Sequence, residues 1–190
     1  EEMLSERGLS VDHSTIQRWI VEYAPQLEKE FRKHKKPVGK SWRMDETYIK
    51  VKGQWHYLYR ALDKVGQTVD FYLSPHRDAA SAKRFFKKSI RSSGKPDTVN
   101  IDQSGSNTAA LNNINQDYKP ECQIKVRQNK YLNNIVEQDH RFIKKMCKHM
   151  LWFKAVKSAR ATLAGIELHH MLRKGQHKSK NNLPIWEQFC

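Results

Sequence analysis

The sequence predicts an α/β fold, a mixed five-stranded sheet flanked by helices, with a short helical segment at its N-terminal side. Three observations support this class. From about residue 42 to 73 the apolar residues follow a period of two, which is typical of strands. Beyond residue 73, short apolar runs alternate with stretches of helical spacing, the pattern of a sheet covered by helices. Before residue 23 only helical spacing occurs.

Residues 3–22 have the pattern of a helix-turn-helix. They contain the end of one helix, a turn at 8–10, and a second helix whose inner side carries Ile16, Trp19 and Ile20. A short glycine-containing turn between two helices is common in DNA-binding modules, although an ordinary helical hairpin gives the same pattern. If the segment contacts DNA, the residues available to enter a groove are His13, Ser14, Gln17 and Arg18.

The chain divides into four predicted regions. A partial helix-turn-helix segment covers 1–22, a basic connector 23–40, a catalytic core 41–176 and a basic C-terminal tail 177–190. The chain starts at Glu1 and enters helical pattern at once, so we expect the N-terminal module to be truncated.

Three predicted strands form an antiparallel meander. They cover 42–52, 55–62 and 67–73. The segments that separate them, 53–54 and 64–66, have the length and the glycine content of hairpin turns.

The rest of the predicted core alternates helices and strands. In chain order the elements are a helix over 79–91 capped by Asp78, a strand ending at Asp102, a helix over about 104–115, a strand over 123–127, and helices over about 133–150 and 154–173.

The composition indicates a partner of negative charge. The 190 residues include 35 Lys and Arg against 20 Asp and Glu, a formal net charge of +15, and double-stranded DNA is the first candidate. No apolar run approaches the roughly 18 residues that cross a membrane, so we expect no membrane partner. Three cysteines without C-x-x-C spacing favour neither a disulfide framework nor a zinc site, which suggests a cytoplasmic protein.

Three carboxylates stand out. Asp45 shares the apolar side of the first strand with Ile49 and Val51, where a charge is costly unless it is compensated. Asp102 ends the fourth strand, a place where open α/β sheets carry functional groups. Glu137 lies in the first turn of the long predicted helix, where a carboxylate can also serve only the helix dipole.

The long helix has two predicted faces. Its core-facing side carries Ile135, Val136, Ile143, Met146 and Cys147. The opposite side carries Glu137, His140, Arg141, Lys144 and Lys148. Acids beside so basic a surface make chemical sense if divalent metal offsets their charge, and two magnesium ions could then drive a phosphoryl displacement.

Four segments of the chain resemble bacterial insertion-sequence transposases of the DDE class, of the cointegrate-forming type named insertion sequence six. They are "WRMDETYIKVKGQWHYLYRALDKVGQTVDFYLSPHRD", "NIDQSGSN", "YLNNIVEQDHRFIKK" and "LWFKAVKSARATLAGIELHHMLRKGQ". The similarity extends from about Ser10 to Gln176, and its long segments are specific.

The resemblance implies an RNase H-like fold and a catalytic triad that binds metal at Asp45, Asp102 and Glu137. The interval of 34 residues between Asp102 and Glu137 is the one found in this family, and Lys144 matches a basic residue seven positions after the glutamate. Gln103 departs from the family pattern, where a lysine often follows the second aspartate.

The predicted function is therefore DNA transposition: metal-dependent cleavage at element ends and strand transfer into target DNA, by a dimer or larger assembly. Mg²⁺ is the expected cofactor, as two ions, with Mn²⁺ as a possible substitute. The expected DNA contacts are Lys144, His140, Arg141, Lys145, Lys148, Arg18 and Gln17, with a role in orienting Glu137 as a second possibility for His140. Two alternatives stay open, a truncated DNA-binding remnant that no longer transposes and a metal-dependent RNase H-like nuclease.

The tryptophans and tyrosines outside these sets have a simpler predicted role. Trp55, Tyr57 and Tyr59 alternate along one strand, which favours packing in the core or on a sheet face over base stacking. Trp42 and Trp152 are also expected to be structural.

Overall fold

A computed structural model describes residues 2–178, in two compact units. The central unit is Lys36–Phe153, and the second unit combines the segment up to Lys35 with the segment from Lys154 onward. Most of the predicted tail, including Cys190, lies outside the described residues.

The elements of the described chain agree in kind and order with those predicted for the core. They are α1 (Glu2–Ser5), α2 (His13–His34), β1 (Ser41–Val51), β2 (Gln54–Asp63), β3 (Thr68–Ser74), α3 (Ala79–Ser93), β4 (Thr98–Asn100), α4 (Gly105–Asn115), a 3₁₀ turn (Pro120–Cys122), β5 (Lys125–Arg127), α5 (Lys130–His149) and α6 (Val156–Arg173). None of the helices within residues 2–178 has both the length and the apolar character needed to cross a bilayer.

The five strands form one mixed sheet in the order β3-β2-β1-β4-β5, which confirms the predicted fold class. β1, β2 and β3 pair antiparallel, whereas β4 pairs parallel to both β1 and β5. The hairpin turns contain Gly53 and Gly66, at φ of 77° and 86°, a conformation that glycine adopts without steric cost. β4 is much shorter than β1, so most of β1 has no strand on that side.

The main core of the central unit lies between the sheet and helices α3 and α4. Asp78 caps α3 by accepting a hydrogen bond from the backbone of Ser81, as the sequence predicts. The fully buried side chains of this core come from alternate strand positions and from one stripe of each helix, and they include Trp42, Met44, Tyr59, Phe85, Phe86 and Leu111.

Helix α5 packs on β1 and β2 and is fixed at its start to two strands. The Asn133 amide accepts a hydrogen bond from Asn100 of β4 at 2.6 Å and donates one to the carbonyl oxygen of Met44 in β1 at 3.3 Å. Asn129 caps the helix, which therefore begins three residues earlier than predicted. Glu137 consequently lies about two turns inside the helix, and its predicted position in the first turn is wrong.

The second unit is built on the pairing of α2 with α6. The position of a Cβ on Gly165 would lie 3.1 Å from the Cβ of Ala24, so a glycine there permits close helix packing. Helix α2 runs without a break through residue 22, because Asp12 caps its start and Phe31 anchors its second half among apolar residues of α6. The boundary predicted at residue 22 thus falls within a helix. Trp19, predicted to face inward, is 42% exposed.

Candidate active site

Two of the predicted acids are brought to the same level by the pairing of β1 with β4. That pairing ends with Arg43 opposite Asn100. Asp45 and Asp102 each follow two residues later, so the parallel register places them side by side where β1 loses its neighbour. Functional groups at the carboxyl end of a parallel strand are expected in sheets of this kind.

Glu46, which is outside the set predicted from the sequence, joins this pair. One carboxylate oxygen from each of Asp45, Glu46 and Asp102 lies within 4.8 Å of the other two. Glu46 was missed because the strand period places it on the face opposite Asp45. The β1–β4 pairing ends at Arg43, however, so beyond this residue β1 has no neighbouring strand on that side and residues from both of its faces can meet at the open edge. We call this acidic side the sheet wall, defined by Asp45, Glu46 and Asp102.

Two side chains outside the predicted set hold the sheet wall together. The Asn107 amide, which is fully buried, donates hydrogen bonds to Glu46 at 2.9 Å and to Asp102 at 3.3 Å. The Arg77 guanidinium lies 3.4 Å from Glu46 and 3.2 Å from Asp102. The Asp102 carboxylate also accepts the backbone N–H of Ser104 at 3.1 Å. These contacts fix both carboxylates before any ligand binds.

A cleft of about 500 Å³ separates the sheet wall from helix α5. The residues that line it are Asp45, Glu46, Thr47, Tyr48, Asn134, Glu137, Gln138, His140, Arg141 and Lys144. We call its helical side the helix wall, defined by Glu137, Arg141 and Lys144, all three exposed. The third predicted acid, Glu137, therefore shares a cleft with Asp45 but lies outside the tight group of carboxylates.

The acids of the sheet wall are electrostatically crowded. Burial, reinforced by the charges of Glu46, Asp102 and Glu137, raises the pKa of Asp45 to about 7. Burial also raises the pKa of Glu46, in spite of its contacts with Asn107 and Arg77. In the protein alone, the site therefore disfavours full ionisation of its carboxylates, and a bound cation would reverse this preference.

The donor set fits a hard divalent cation such as magnesium. All of its candidate ligand atoms are carboxylate oxygens, which Mg²⁺ prefers over nitrogen and sulfur. Asp45 is only 19% exposed, and when it is ionised its surroundings do not neutralise its charge. The structure thus supports the physical argument made from the sequence, that Asp45 requires a compensating positive charge.

His140 is placed differently from the prediction. It is buried beneath Asp45, with its Nδ1 atom 3.6 Å from a carboxylate oxygen, and does not lie on the exposed face of α5. Burial, together with the charges of Arg60 and Lys144, lowers the pKa of His140 to about 3, so the ring is neutral. Its predicted place on the solvent-facing side is therefore wrong, as is the inward position of Met146, which is 41% exposed.

A buried ion pair lies close to His140. The Arg60 guanidinium, with no exposed surface, donates a hydrogen bond of 2.6 Å to the carboxylate of Asp139 on α5. Since Arg60 is opposite Asp45 in the β1–β2 pairing, the pair links the helix to β2, the strand next to the one that carries the first acid. This link holds α5 against the sheet.

The other predicted DNA contacts are distributed over two surfaces. Arg141 and Lys144 line the cleft, whereas Lys145 and Lys148 are exposed on α5 without lining it. Gln17 and Arg18 are exposed on α2, in the second unit, where Arg18 donates a hydrogen bond of 2.9 Å to Thr15. Of the seven predicted DNA contacts, these six are exposed on the described surface and are accessible to DNA. The seventh, His140, is buried.

The architecture is that of the retroviral integrase catalytic cores. The HTLV-2 integrase catalytic core domain, solved in complex with magnesium in a trimeric form, matches with a TM-score of 0.56 and 17% identity over 77% of this chain and 98% of that one. The catalytic core domain of BIV integrase matches with a TM-score of 0.52 and 16% identity, covering 78% of this chain and 92% of that one. These likenesses define the fold class, an RNase H-like core.

Sequence comparison gives the family. A family model described as a DDE domain matches residues 39–176. The transposase for insertion sequence-like element IS431mec from Staphylococcus aureus strain N315 is 43% identical over 187 residues, which cover 97% of this chain and 80% of the relative. The transposase for insertion sequence element IS257 in transposon Tn4003, from the same species, shows the same identity and coverage.

The chain belongs to the DDE transposases of insertion sequences. It is an enzyme of DNA transposition, which uses divalent metal to cleave DNA at element ends and to transfer the cut strand into a target.

Proposed function

We propose that Asp45, Asp102 and Glu137 are the catalytic acids of this transposase and that together they hold two magnesium ions, for which manganese can substitute. The observation that carries this proposal is the shared level of Asp45 and Asp102 at the end of the β1–β4 pairing, with Glu137 on the helix that faces them. Asp45 and Glu137 line one cleft, and Asp102 lies beside Asp45, in a chain of net charge +15.

Bound divalent metal would activate the attacking oxygen and stabilise the leaving oxygen of a phosphodiester. The protein groups have the complementary task of orientation. Asn107 and Arg77 hold the carboxylate of Asp102, while the neutral ring of His140 lies against the carboxylate of Asp45. The carboxylates of Asp45 and Asp102 therefore require little rearrangement when the substrate arrives, which is the condition for efficient electrostatic catalysis.

The helix wall binds the DNA backbone. Arg141 and Lys144 bring two cationic groups to the cleft beside the acids, where they can pair with phosphates flanking the scissile bond. Lys145 and Lys148 extend the basic surface along α5, outside the cleft. In this arrangement, cleavage leaves a 3′ hydroxyl that remains in the cleft and attacks a target phosphate in the second step.

The partners are double-stranded DNA at the terminal repeats and at the target. Gln17 and Arg18 on α2 would contact the terminal repeats, which extends the predicted DNA-binding role of residues 1–22. Two element ends must be held together for strand transfer, so a homodimer or larger assembly is the functional form. Its substrate would place the enzyme in the bacterial cytoplasm.

Metal-dependent cleavage tests the assignment of the acids. Native protein and the variants Asp45→Asn, Asp102→Asn and Glu137→Gln are incubated with a labelled duplex carrying an element end, with Mg²⁺, with Mn²⁺ and with chelator. Each variant should lose at least about a thousandfold in cleavage rate, since removal of a metal-binding or charge-stabilising group in phosphoryl transfer has effects of this order. Asp117→Asn, which removes an exposed acid distant from the cleft in sequence, is the matched control and should cleave normally.

Cleavage by Glu137→Gln at a rate within tenfold of native would rule out the triad. The same reactions, supplied with a supercoiled target plasmid, separate the alternatives. A joined product identifies a transposase, and cleavage without joining identifies a nuclease. If the native chain binds DNA but does not cut under any metal condition, the interpretation as a DNA-binding remnant is favoured.

A further inference from the structure

A second cavity, of about 460 Å³, adjoins the catalytic cleft. Three aromatic side chains, Tyr48, Trp55 and Trp152, line it together with Lys144. Tyr48 and Lys144 line the catalytic cleft as well, so the two cavities share a wall. We call this second cavity the aromatic pocket. It is thus continuous with the place where DNA is cut.

The rings of the aromatic pocket are open to solvent. Trp55 is 53% exposed and Tyr48 45% exposed, so the predicted role of Trp55 in core or sheet-face packing does not account for most of its surface. Trp55 meets Tyr48 and Trp152 in edge-to-face contacts, with ring centroids 6.2 Å and 5.8 Å away. In an edge-to-face pair the edge of one ring covers only one face of the other, so the remaining faces stay open, and exposed aromatic faces beside a functional cleft are typical of binding surfaces.

The chain adopts strained backbone to place Trp152 in this position. Leu151 and Trp152 have φ of 52° and 68°, values that side-chain-bearing residues rarely adopt. The next residue, Phe153, fastens the segment to β1 by donating to the carbonyl of Lys50 at 3.2 Å and accepting from the N–H of Lys52 at 2.8 Å. Backbone strain that the surrounding structure maintains is concentrated at functional sites. The indole is therefore held in place by the fold itself.

We propose that the aromatic pocket binds an unpaired nucleobase of the DNA whose phosphates lie in the catalytic cleft. Every base has a flat π-face that stacks on aromatic rings, and three such rings are available here. Lys144, on the shared wall, supplies a cation where the phosphate of that nucleotide would lie. This inference rests on the proposed function, and it adds a place for a nucleotide that has left the duplex near the cutting site.

The charge of the surroundings favours a nucleotide over a protein segment as the occupant. Lys50 places its ammonium 5.7 Å from the centre of the Trp55 ring, so that cations flank the pocket at Lys50 and Lys144. A purely apolar partner would leave both cations without a counterion, whereas a nucleotide offers a base for the rings and phosphates for the cations. A second copy of this chain, with the same excess of positive charge, complements the pocket less well.

A pair of DNA probes tests the proposal without requiring cleavage. One is a short duplex with two unpaired nucleotides at one 3′ end, and the other is the same duplex with abasic sugars at those positions. Affinities are measured by fluorescence anisotropy in chelator. The native chain should prefer the probe with bases by about tenfold, the size expected for stacking of one base.

Variants of one ring then locate the effect. Trp55→Leu keeps an apolar side chain but removes the π-face, so the preference should fall to about one, whereas Trp55→Phe should retain most of it. Trp152→Ala should also abolish the preference. Circular dichroism then confirms that this substitution in the strained segment has not unfolded the protein. Tyr23→Ala removes a ring that is 52% exposed in α2 and should leave the preference unchanged.

Each other outcome overturns the proposal. A native preference near one, or an unchanged preference in Trp55→Leu, would show that the pocket does not stack a base. A Trp55→Leu protein whose sedimentation changes while its preference does not would identify the pocket as a contact between copies of the chain. Normal metal-dependent cutting with no base preference would overturn only the proposal that the aromatic pocket binds a base. Failure to bind either probe would overturn the proposed function as well.

Discussion

The two walls of the catalytic cleft hold their functional groups in different ways. On the sheet wall, hydrogen bonds from the buried Asn107 and the exposed Arg77 fix two of the three carboxylates. On the helix wall, Glu137, Arg141 and Lys144 are exposed, and within residues 2–178 their side chains form no hydrogen bond or ion pair. The sheet wall is thus ready for a ligand in advance, whereas the helix wall acquires its order from the ligand.

The largest expected effect concerns the ion pair that holds α5, which carries the helix wall, against the sheet. Asp139→Asn removes a charged partner of the buried Arg60 guanidinium, which should lower the free energy of unfolding by about 3 kcal/mol. Urea denaturation followed by circular dichroism measures this change. Lys148→Gln, an exposed substitution on the same helix, is the control and should change stability by less than about 0.5 kcal/mol. A stable Asp139→Asn protein would show that the ion pair does not hold α5 against the sheet.

The next effect distinguishes the walls by their response to pH. Because the pKa of Asp45 is raised in the folded protein, the unfolded chain releases this proton at lower pH, and stability falls as pH rises from about 4 toward 7. Asp45→Asn removes this loss and should stabilise the metal-free protein by roughly 2 to 4 kcal/mol at pH 8. The gain over native should shrink toward zero near pH 4.

Glu137→Gln supplies the contrast on the helix wall. Its side chain is exposed and has no hydrogen-bonded partner in the described chain, and its charge is a smaller cause of the raised pKa of Asp45 than burial, so the stability of Glu137→Gln should depart from the native curve far less than that of Asp45→Asn. Denaturant titrations at pH 4, 6 and 8 in chelator give both curves. Equal shifts for the two variants would mean that the walls do not differ in the way proposed.

The smallest effect concerns metal affinity. Arg77 contacts Asp102 and Glu46, and its positive charge opposes a cation that approaches the same carboxylates. Arg77→Gln should therefore bind Mn²⁺ three- to tenfold more tightly, as a change of about 1 kcal/mol in a partly exposed interaction implies. Electron paramagnetic resonance titration of free Mn²⁺ measures this, with Arg84→Gln as the exposed control. Weaker binding would show that Arg77 serves mainly to orient the carboxylates.

The sheet and most helix limits could be predicted because local patterns determine them. The period of two, the hairpin glycines and the Asp78 cap are all properties of neighbouring residues. The position of Asp45 beside Asp102 could not be derived in this way, because it depends on the register between two strands that are distant in sequence. The family resemblance supplied that pairing of residues.

The misplacement of His140 has a physical cause that the sequence contains. Val136, His140, Ile143 and Cys147 follow one another at intervals of four, three and four residues, and all four are buried. Assigning His140 by polarity moved it to the wrong face, whereas spacing alone would have placed it correctly. Arg77 and Asn107 carried no such signal, because loops and helix starts bring them to the acids from a distance.

Helix α5 is fastened to β1 at both ends. Asn133 bonds to Met44 at its start, and the segment after its end bonds to Lys50 and Lys52 through Phe153. A helix held in this way cannot swing as a rigid arm over the cleft. Any approach of Glu137 toward Asp45 must therefore come from rotation about side-chain bonds, which takes picoseconds to nanoseconds for exposed residues. Assembly of the acids should then keep pace with the arrival of metal, and the slow steps of transposition would lie in the movements of DNA.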